Sequence, residues 1–199
     1  MARLALNKAS LTKLQRQLKT YKDVLPALDL KRRQLLAEQA KAKRRLMAIR
    51  QQLEGLEPVI ANELLMLANQ EIDLGDIVRV VGVDVVDENV MGTRLPRLDK
   101  FDIKVREYAL LGRPHWVERV VDALTTAVEL RLQLQVAEQR QVLLNQAAQK
   151  ITQRVNLFDK VLIPRAQANI KKIQIYLSDA ERAAVVNSKI AKRKKGAAA

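Results

Sequence analysis

Apolar side chains recur in alternating steps of three and four along the first sixty residues, and they hold one frame throughout. Leu4, Leu11, Leu18, Leu25, Leu46, Leu53 and Ile60 form one line at multiples of seven. Leu14, Tyr21, Leu28, Leu35, Ala42, Ile49 and Leu56 form the second. Two such lines are the a and d positions of a heptad seam, so the segment is expected to be a long coiled-coil helix rather than part of a compact core. At 1.5 Å per residue that helix is a rod of roughly 80–90 Å. A stripe of that length cannot be buried without an equally long partner.

The end of the chain supplies one. From Trp116 the same spacing runs through Val120, Ala123, Ala127, Leu130, Leu134, Ala137, Leu144, Ala148, Ile151, Val155, Phe158 and Leu162. After Pro164 it resumes in a shifted frame with Ala166, Ile170, Ile173 and Leu177. Two seams separated by a middle region predict an all-α dominated fold. Its expected form is a long antiparallel two-helix coiled coil with a small β-hairpin and a short connector helix at the middle of the chain. The expected segments are an N-terminal coiled-coil helix over 1–62, a middle region over 63–115, a C-terminal coiled-coil helix over 116–190, and a disordered basic and alanine-rich tail over 191–199.

Within the middle region, Ile77, Val78, Val80, Val81, Val83, Val85 and Val86 are the dense β-branched residues that favour strands. Asp87, Glu88 and Asn89 read as the turn, and Val90 to Leu95 as a second strand closed by Pro96, which places the hairpin at about 77–95. A two-stranded hairpin is marginal in water, so it is expected to lean on the helices or on another subunit. Asp99 to Leu111 reads as a short amphipathic connector, with Gly112 and Pro114 punctuating the start of the second helix.

Composition narrows the class further. Aromatic residues are 3 % of the chain and there is no cysteine, so a disulfide framework and a thiolate metal site are both excluded. No apolar run reaches the length of a bilayer span, and Met1 to Ser10 lack the apolar stretch of a secretory signal, which reads as a soluble protein of a reducing cytoplasm. The net charge of +14 is unevenly placed. Residues 1–60 carry 14 basic and 5 acidic side chains and residues 165–199 carry 9 and 2, whereas residues 61–115 carry 7 and 10. An antiparallel fold brings the two basic segments together, and their field suits an acidic protein surface, nucleic acid or anionic lipid. A solvated helix face explains the Lys192 to Lys195 run equally well.

No catalytic, cofactor-binding or metal-binding residue is assigned. His115 is the only histidine and has neither a nucleophile nor a ligand cluster beside it. Asp84, Asp87 and Glu88 read as solvated carboxylates on the hairpin rim. The Lys195, Gly196 pair lacks the glycine and hydroxyl residue that a phosphate loop requires. Two polar residues, Arg32 and Gln39, interrupt the first seam, where they either fix the register or snorkel past the partner helix. Pro26 and Pro164 each remove a helix hydrogen bond and are expected to bend the helices at matching heights.

Arg154, Val155, Asn156, Leu157, Phe158, Asp159, Lys160, Val161, Leu162, Ile163, Pro164 and Arg165, followed by Asn169, Ile170, Lys171, Ile173 and Leu177, closely resemble a motif of the D subunit of the V-type rotary ATPases, including the archaeal and bacterial V/A-type. Asn7, Lys8, Leu11, Leu14 and Leu18 are similar to that family's opening repeat. Leu30 to Leu36 is similar to its following element, although Gln34 stands where an acidic residue is usual. Asn89 to Pro96, with Asn89, Gly92 and Pro96 as its markers, resembles the family's hairpin.

The resemblance implies a non-catalytic central-stalk rotor shaft. Such a subunit couples ATP synthesis or hydrolysis in a catalytic hexamer to proton or sodium translocation in a membrane ring. The implied partners are the catalytic and regulatory subunits of that hexamer, the small F subunit of the central stalk and the funnel-shaped subunit above the ring. The chain itself is implied to bind no nucleotide, cofactor or nucleic acid, and to sit peripherally on the cytoplasmic side of the membrane. The family's terminal end lies inside the hexamer, which makes Lys8, Lys13, Arg16, Lys171, Lys172 and Lys189 the candidate contacts with an acidic bore. A basic coiled coil associated with nucleic acid, or an adaptor coiled coil, is the alternative reading. Against the first stand the scarcity of stacking aromatics and the lack of a recognition motif.

Overall fold

The computed structural model describes residues 5–63, 77–106 and 116–197. In chain order it contains α1 (Lys8–Glu63), β1 (Val78–Val90), β2 (Thr93–Val105), α2 (Trp116–Leu157), a five-residue π-helical turn (Phe158–Leu162) and α3 (Ile163–Ala197). Asn7 caps α1: its Oδ1 accepts a 2.7 Å hydrogen bond from the Ser10 N–H, satisfying a donor that the first helical turn leaves free. Every seam residue expected between Leu11 and Leu56 is buried or half-buried, and so is every one expected from Val120 to Leu177. The heptad frame is therefore the packing frame. Leu4, the side chain of Ile60, His115 and the segment 107–115 lie outside the described residues.

The chain divides into two compact units. The first combines Met1–Arg32 with Lys150–Ala199. Here the helices run antiparallel: Tyr21 meets Phe158 edge to face at 5.5 Å between ring centres, and Lys8 meets Glu181 at 3.6 Å. Ile151, Val155, Ala166, Ile170 and Ile173 are its buried apolar residues. Arg32 reaches out of the seam to pair with Asp29 one turn earlier, while its Nε is buried without a partner.

The frame shift after Pro164 has a specific structural cause. Val155, Phe158, Leu162, Ala166 and Ile170 are spaced 3, 4, 4 and 4, one residue more than a heptad allows. The π-turn absorbs that residue, with the Ile163 N–H bonding to the Phe158 carbonyl five residues back. The wider turn also relieves the clash that the Pro164 ring makes with the carbonyl four residues before it in a regular helix. Pro26, by contrast, sits inside α1 without interrupting it.

Beyond Leu177 every described side chain of α3 through Lys194 is exposed. Of the tail expected over 191–199, the described residues are helical, because α3 continues to Ala197. Alanine, lysine and arginine are strong helix formers, and each residue added to an existing helix gains a backbone hydrogen bond without a new nucleation cost.

The second unit is Arg33–Gln149. Leu35 and Ile49 of α1 and Leu134, Leu144 and Ala148 of α2 are buried. Gln39 resolves one of the polar-seam alternatives: its Nε2 donates to Asn145 Oδ1 at 2.6 Å, and Gln141 Nε2 donates to the same oxygen at 3.1 Å. The Gln39–Asn145 bond crosses between the helices and can form in this register only, while Gln141 Oε1 stays buried without a partner. On the rim, Arg50 pairs with Glu138 at 2.7 Å, so the partner number falls as the α1 number rises, as antiparallel helices require.

The hairpin differs from its expected form in two respects. Its turn is Met91–Gly92, not Asp87–Asn89, and β2 extends to Val105, so Asp99–Val105 is strand rather than connector helix. Met91 and Gly92 both have positive φ, 51° and 76°, the requirement of a two-residue type I′ turn. Asp87, Glu88 and Asn89 instead pair across the ladder with Pro96, Leu95 and Arg94. Val81 in β1 and Asp99 in β2 are bulged out of the register. At its base the hairpin joins the helix, where Ile77 packs with Val117 and Val121 and with half-buried Val78. The Arg106 N–H bonds to the Ile77 carbonyl at 2.8 Å, closing the strand ends.

Candidate functional site

Two sets of residues stand out once the seam is accounted for, one in each unit. In the first unit Lys8, Lys13, Arg16, Lys171, Lys172 and Lys189 are all exposed. They are not equivalent. Lys8 faces Glu181 from 3.6 Å with both side chains largely in water, an ion pair of little energetic consequence. Lys13 and Arg16 line a shallow groove on α1 with Thr12, Gln17 and Tyr21. Lys189 lies on the stretch of α3 past Glu181, beside the exposed apolar Val185, Val186 and Ile190. Composition alone did not mark that apolar stripe. Its only signal in the sequence is a spacing that runs past the end of the seam.

The motif residues divide by what they touch. Val155 and Ile170 are buried in the seam, and Ile163 and Asn169 are half-buried. Arg154, Asn156, Pro164 and Arg165 are exposed on either side of the π-turn. The motif therefore encloses the one place in the helix where the seam changes frame, and it presents two arginines to solvent there.

In the second unit the hairpin is held to the helices near its tip. Glu88 of β1 accepts a 2.8 Å hydrogen bond from Arg140 of α2. That bond, and then the Arg140 charge, hold the Glu88 carboxyl below its ordinary value, with Arg97 and Lys41 adding to the effect. Glu88 is thus an anchoring carboxylate and not the solvated turn residue expected of it. Its cross-strand neighbour Leu95 is fully buried, and Pro96 is buried beside it. Between this tip and the base, Val80, Val81, Val83, Val85 and Val86 stay exposed. Of the hairpin markers, Gly92 makes the turn, Pro96 lies within β2 and Asn89 is exposed at the tip.

No group of three or more histidine, cysteine or carboxylate side chains able to hold a metal occurs among the described residues. No described helix is long and apolar enough to cross a membrane.

The family model for the D subunit of ATP synthase matches residues 10–193. The chain belongs to the ATP synthase D subunit family. Its resemblance to the D subunits of V-type enzymes extends over nearly the whole length. It is 34 % identical over 192 residues to the V-type ATP synthase D subunit of Borreliella burgdorferi, covering 96 % of this chain and 95 % of that one. The V-type ATP synthase D subunit of Chlamydia felis is 32 % identical over 180 residues, or 89 % of this chain and 85 % of that one. That of Chlamydia trachomatis serovar L2 is 34 % identical over 115 residues, 56 % of this chain and 57 % of its own. Coiled-coil stem, middle hairpin and π-turn motif thus occur together in a V-type D subunit.

Proposed function

We propose that this D subunit is the central-stalk rotor shaft of a V/A-type ATP synthase. It carries torque between ATP chemistry in a catalytic hexamer and proton or sodium movement in a membrane ring, and performs no catalysis itself. Family membership and one feature of the structure support this reading together: a polar contact inside the seam, Gln39 to Asn145, ties the antiparallel helices to one register. A shaft must not let its two helices slide, and a polar contact that forms in a single register opposes sliding in a way that leucine packing alone does not. Exposed lysines and arginines on the first unit fit contacts that break at every step, because each such screened pair is worth under about 1 kcal/mol. In this reading Lys13, Arg16, Lys171, Lys172 and Lys189 face the hexamer, and the hairpin with its exposed valines serves the small stalk subunit or regulation. The funnel-shaped subunit above the ring receives the opposite end, and the chain sits peripherally on the cytoplasmic side.

The absence of cysteine makes the test direct. A single cysteine at exposed Val85, labelled and followed in the assembled complex, is expected to rotate in steps when ATP is added. A stationary label on a complex that hydrolyses ATP at full rate overturns the proposal. The isolated subunit is expected to show no ATPase, and activity that scales with its concentration through repurification overturns the non-catalytic assignment.

A further inference from the structure

Beside the hairpin tip lies a cleft of about 250 Å³, lined by Glu38, Lys41, Ala42 and Arg45 of α1, Glu88 of β1, Arg97 of β2, and Ala137 and Arg140 of α2. Its floor follows from the seam: Ala42 and Ala137 are seam positions where leucine is the usual occupant, and two methyl groups in place of two isobutyl groups leave a hollow. Its walls are charged. Four cations face two carboxylates, an excess of two positive charges from side chains alone. Only one of the four cations is matched within the cleft, Arg140 to Glu88 at 2.8 Å. Arg97 also lies 3.6 Å from Asp99, and the two remain largely exposed. Lys41 and Arg45 form no ion pair among the described residues. Glu88 feels Arg140, Arg97 and Lys41 together, so cations from α1, α2 and β2 converge on one carboxylate.

We propose that this cleft binds inorganic phosphate or pyrophosphate, with Lys41, Arg45 and Arg97 as its ligands and Arg140 shared between the anion and Glu88. Arginine and lysine from different elements suit a tetrahedral dianion, since guanidinium groups bind two oxygens at once and the ammonium group adds a point charge. Glu88 hydrogen-bonds Arg140 and draws on the charges of Arg97 and Lys41, so the anion joins Glu88 and Glu38 in sharing four cations. A phosphate in the remaining space bridges α1, α2 and β2, and therefore fastens the hairpin to the helix pair. The site contains no aromatic side chain to stack a base, so the recognised unit is the phosphate itself.

The test is titration calorimetry on the full chain at fixed ionic strength with inorganic phosphate, pyrophosphate, ATP and chloride. Lys41→Gln/Arg45→Gln is compared with Lys19→Gln/Lys22→Gln, which removes the same charge from exposed positions of the other unit. Saturable binding of phosphate or pyrophosphate is expected. It should weaken at least tenfold in the first variant and stay within twofold in the second, while both variants keep the parent circular dichroism spectrum. Pyrophosphate is also expected to slow amide exchange in residues 78–105. Equal losses in both variants, or heats no larger than those of chloride, overturn the site. Binding of ATP tenfold tighter than pyrophosphate overturns the inorganic assignment.

Discussion

Leu35 and Leu36 are neighbours on one helix with identical side chains, yet one is 1 % exposed and the other 44 %. Replacing each by alanine separates seam packing from every local effect, because both changes alter helix propensity equally. Leu→Ala removes three carbons, worth about 0.8 kcal/mol each when fully withdrawn from water, or about 2.4 kcal/mol at Leu35. The hollow left in the seam adds to this, so about 3 kcal/mol is expected. At Leu36 roughly half the side chain already meets water and no cavity forms, which leaves about 1 kcal/mol at most. The difference of about 2 kcal/mol is read from urea unfolding followed by far-ultraviolet circular dichroism, as a shift in midpoint at constant slope. Equal shifts for Leu35→Ala and Leu36→Ala refute the assignment of the three-four spacing to a packed seam. A larger effect at Leu36 reverses it.

Gly55 lies inside α1 with open space for 4 Å around the point where a Cβ would stand, so Gly55→Ala is expected to raise stability by about 1 kcal/mol, seen as a higher urea midpoint. Gly92→Val forces a β-branched residue to φ 76° and is expected to cost about 1 kcal/mol or more, concentrated as faster amide exchange in β1 and β2. The folded-state pKa of Glu88 is lowered, so its contribution is present above the unfolded carboxylate value and is lost as pH falls through the folded one. Amide protection factors across residues 78–105, which divide out the intrinsic pH dependence of exchange, are therefore expected to fall on acidification below the ordinary carboxylate range of about 4. In Glu88→Gln, the protection factors are already lower at neutral pH and depend less on acid. Deleting Pro164 shortens the step from Leu162 to Ala166 to three and restores an unbroken heptad spacing. Helicity and the urea midpoint should then be preserved to within about 1 kcal/mol, whereas deleting Lys160 instead should cost about 3 kcal/mol because the proline returns to a regular helix interior.

The seam was legible in the sequence because heptad periodicity is a property of the chain itself: whichever helix covers it, Leu35, Ile49, Leu144 and Ile173 must face inward. The existence of a hairpin was legible for a similar reason, in the valine-rich run from Val78 to Val86. Its boundaries were not. Asp87, Glu88 and Asn89 have the composition of a turn, but the ladder places them opposite Pro96, Leu95 and Arg94, and positive φ at Met91 and Gly92 makes the reversal. The alternation of Phe101, Ile103 and Val105 is the period of a strand, though only pairing with β1 distinguishes it from one face of a short helix. The frame shift at Pro164 was visible as spacing, and packing chose a π-turn to absorb it. The ion pair of Glu88 with Arg140 joins residues 52 apart, and the cleft beside it draws side chains from four elements. Local pattern fixes which face of an element is apolar; which charges meet is set by long-range pairing, and that exists only once the helices and the hairpin have packed.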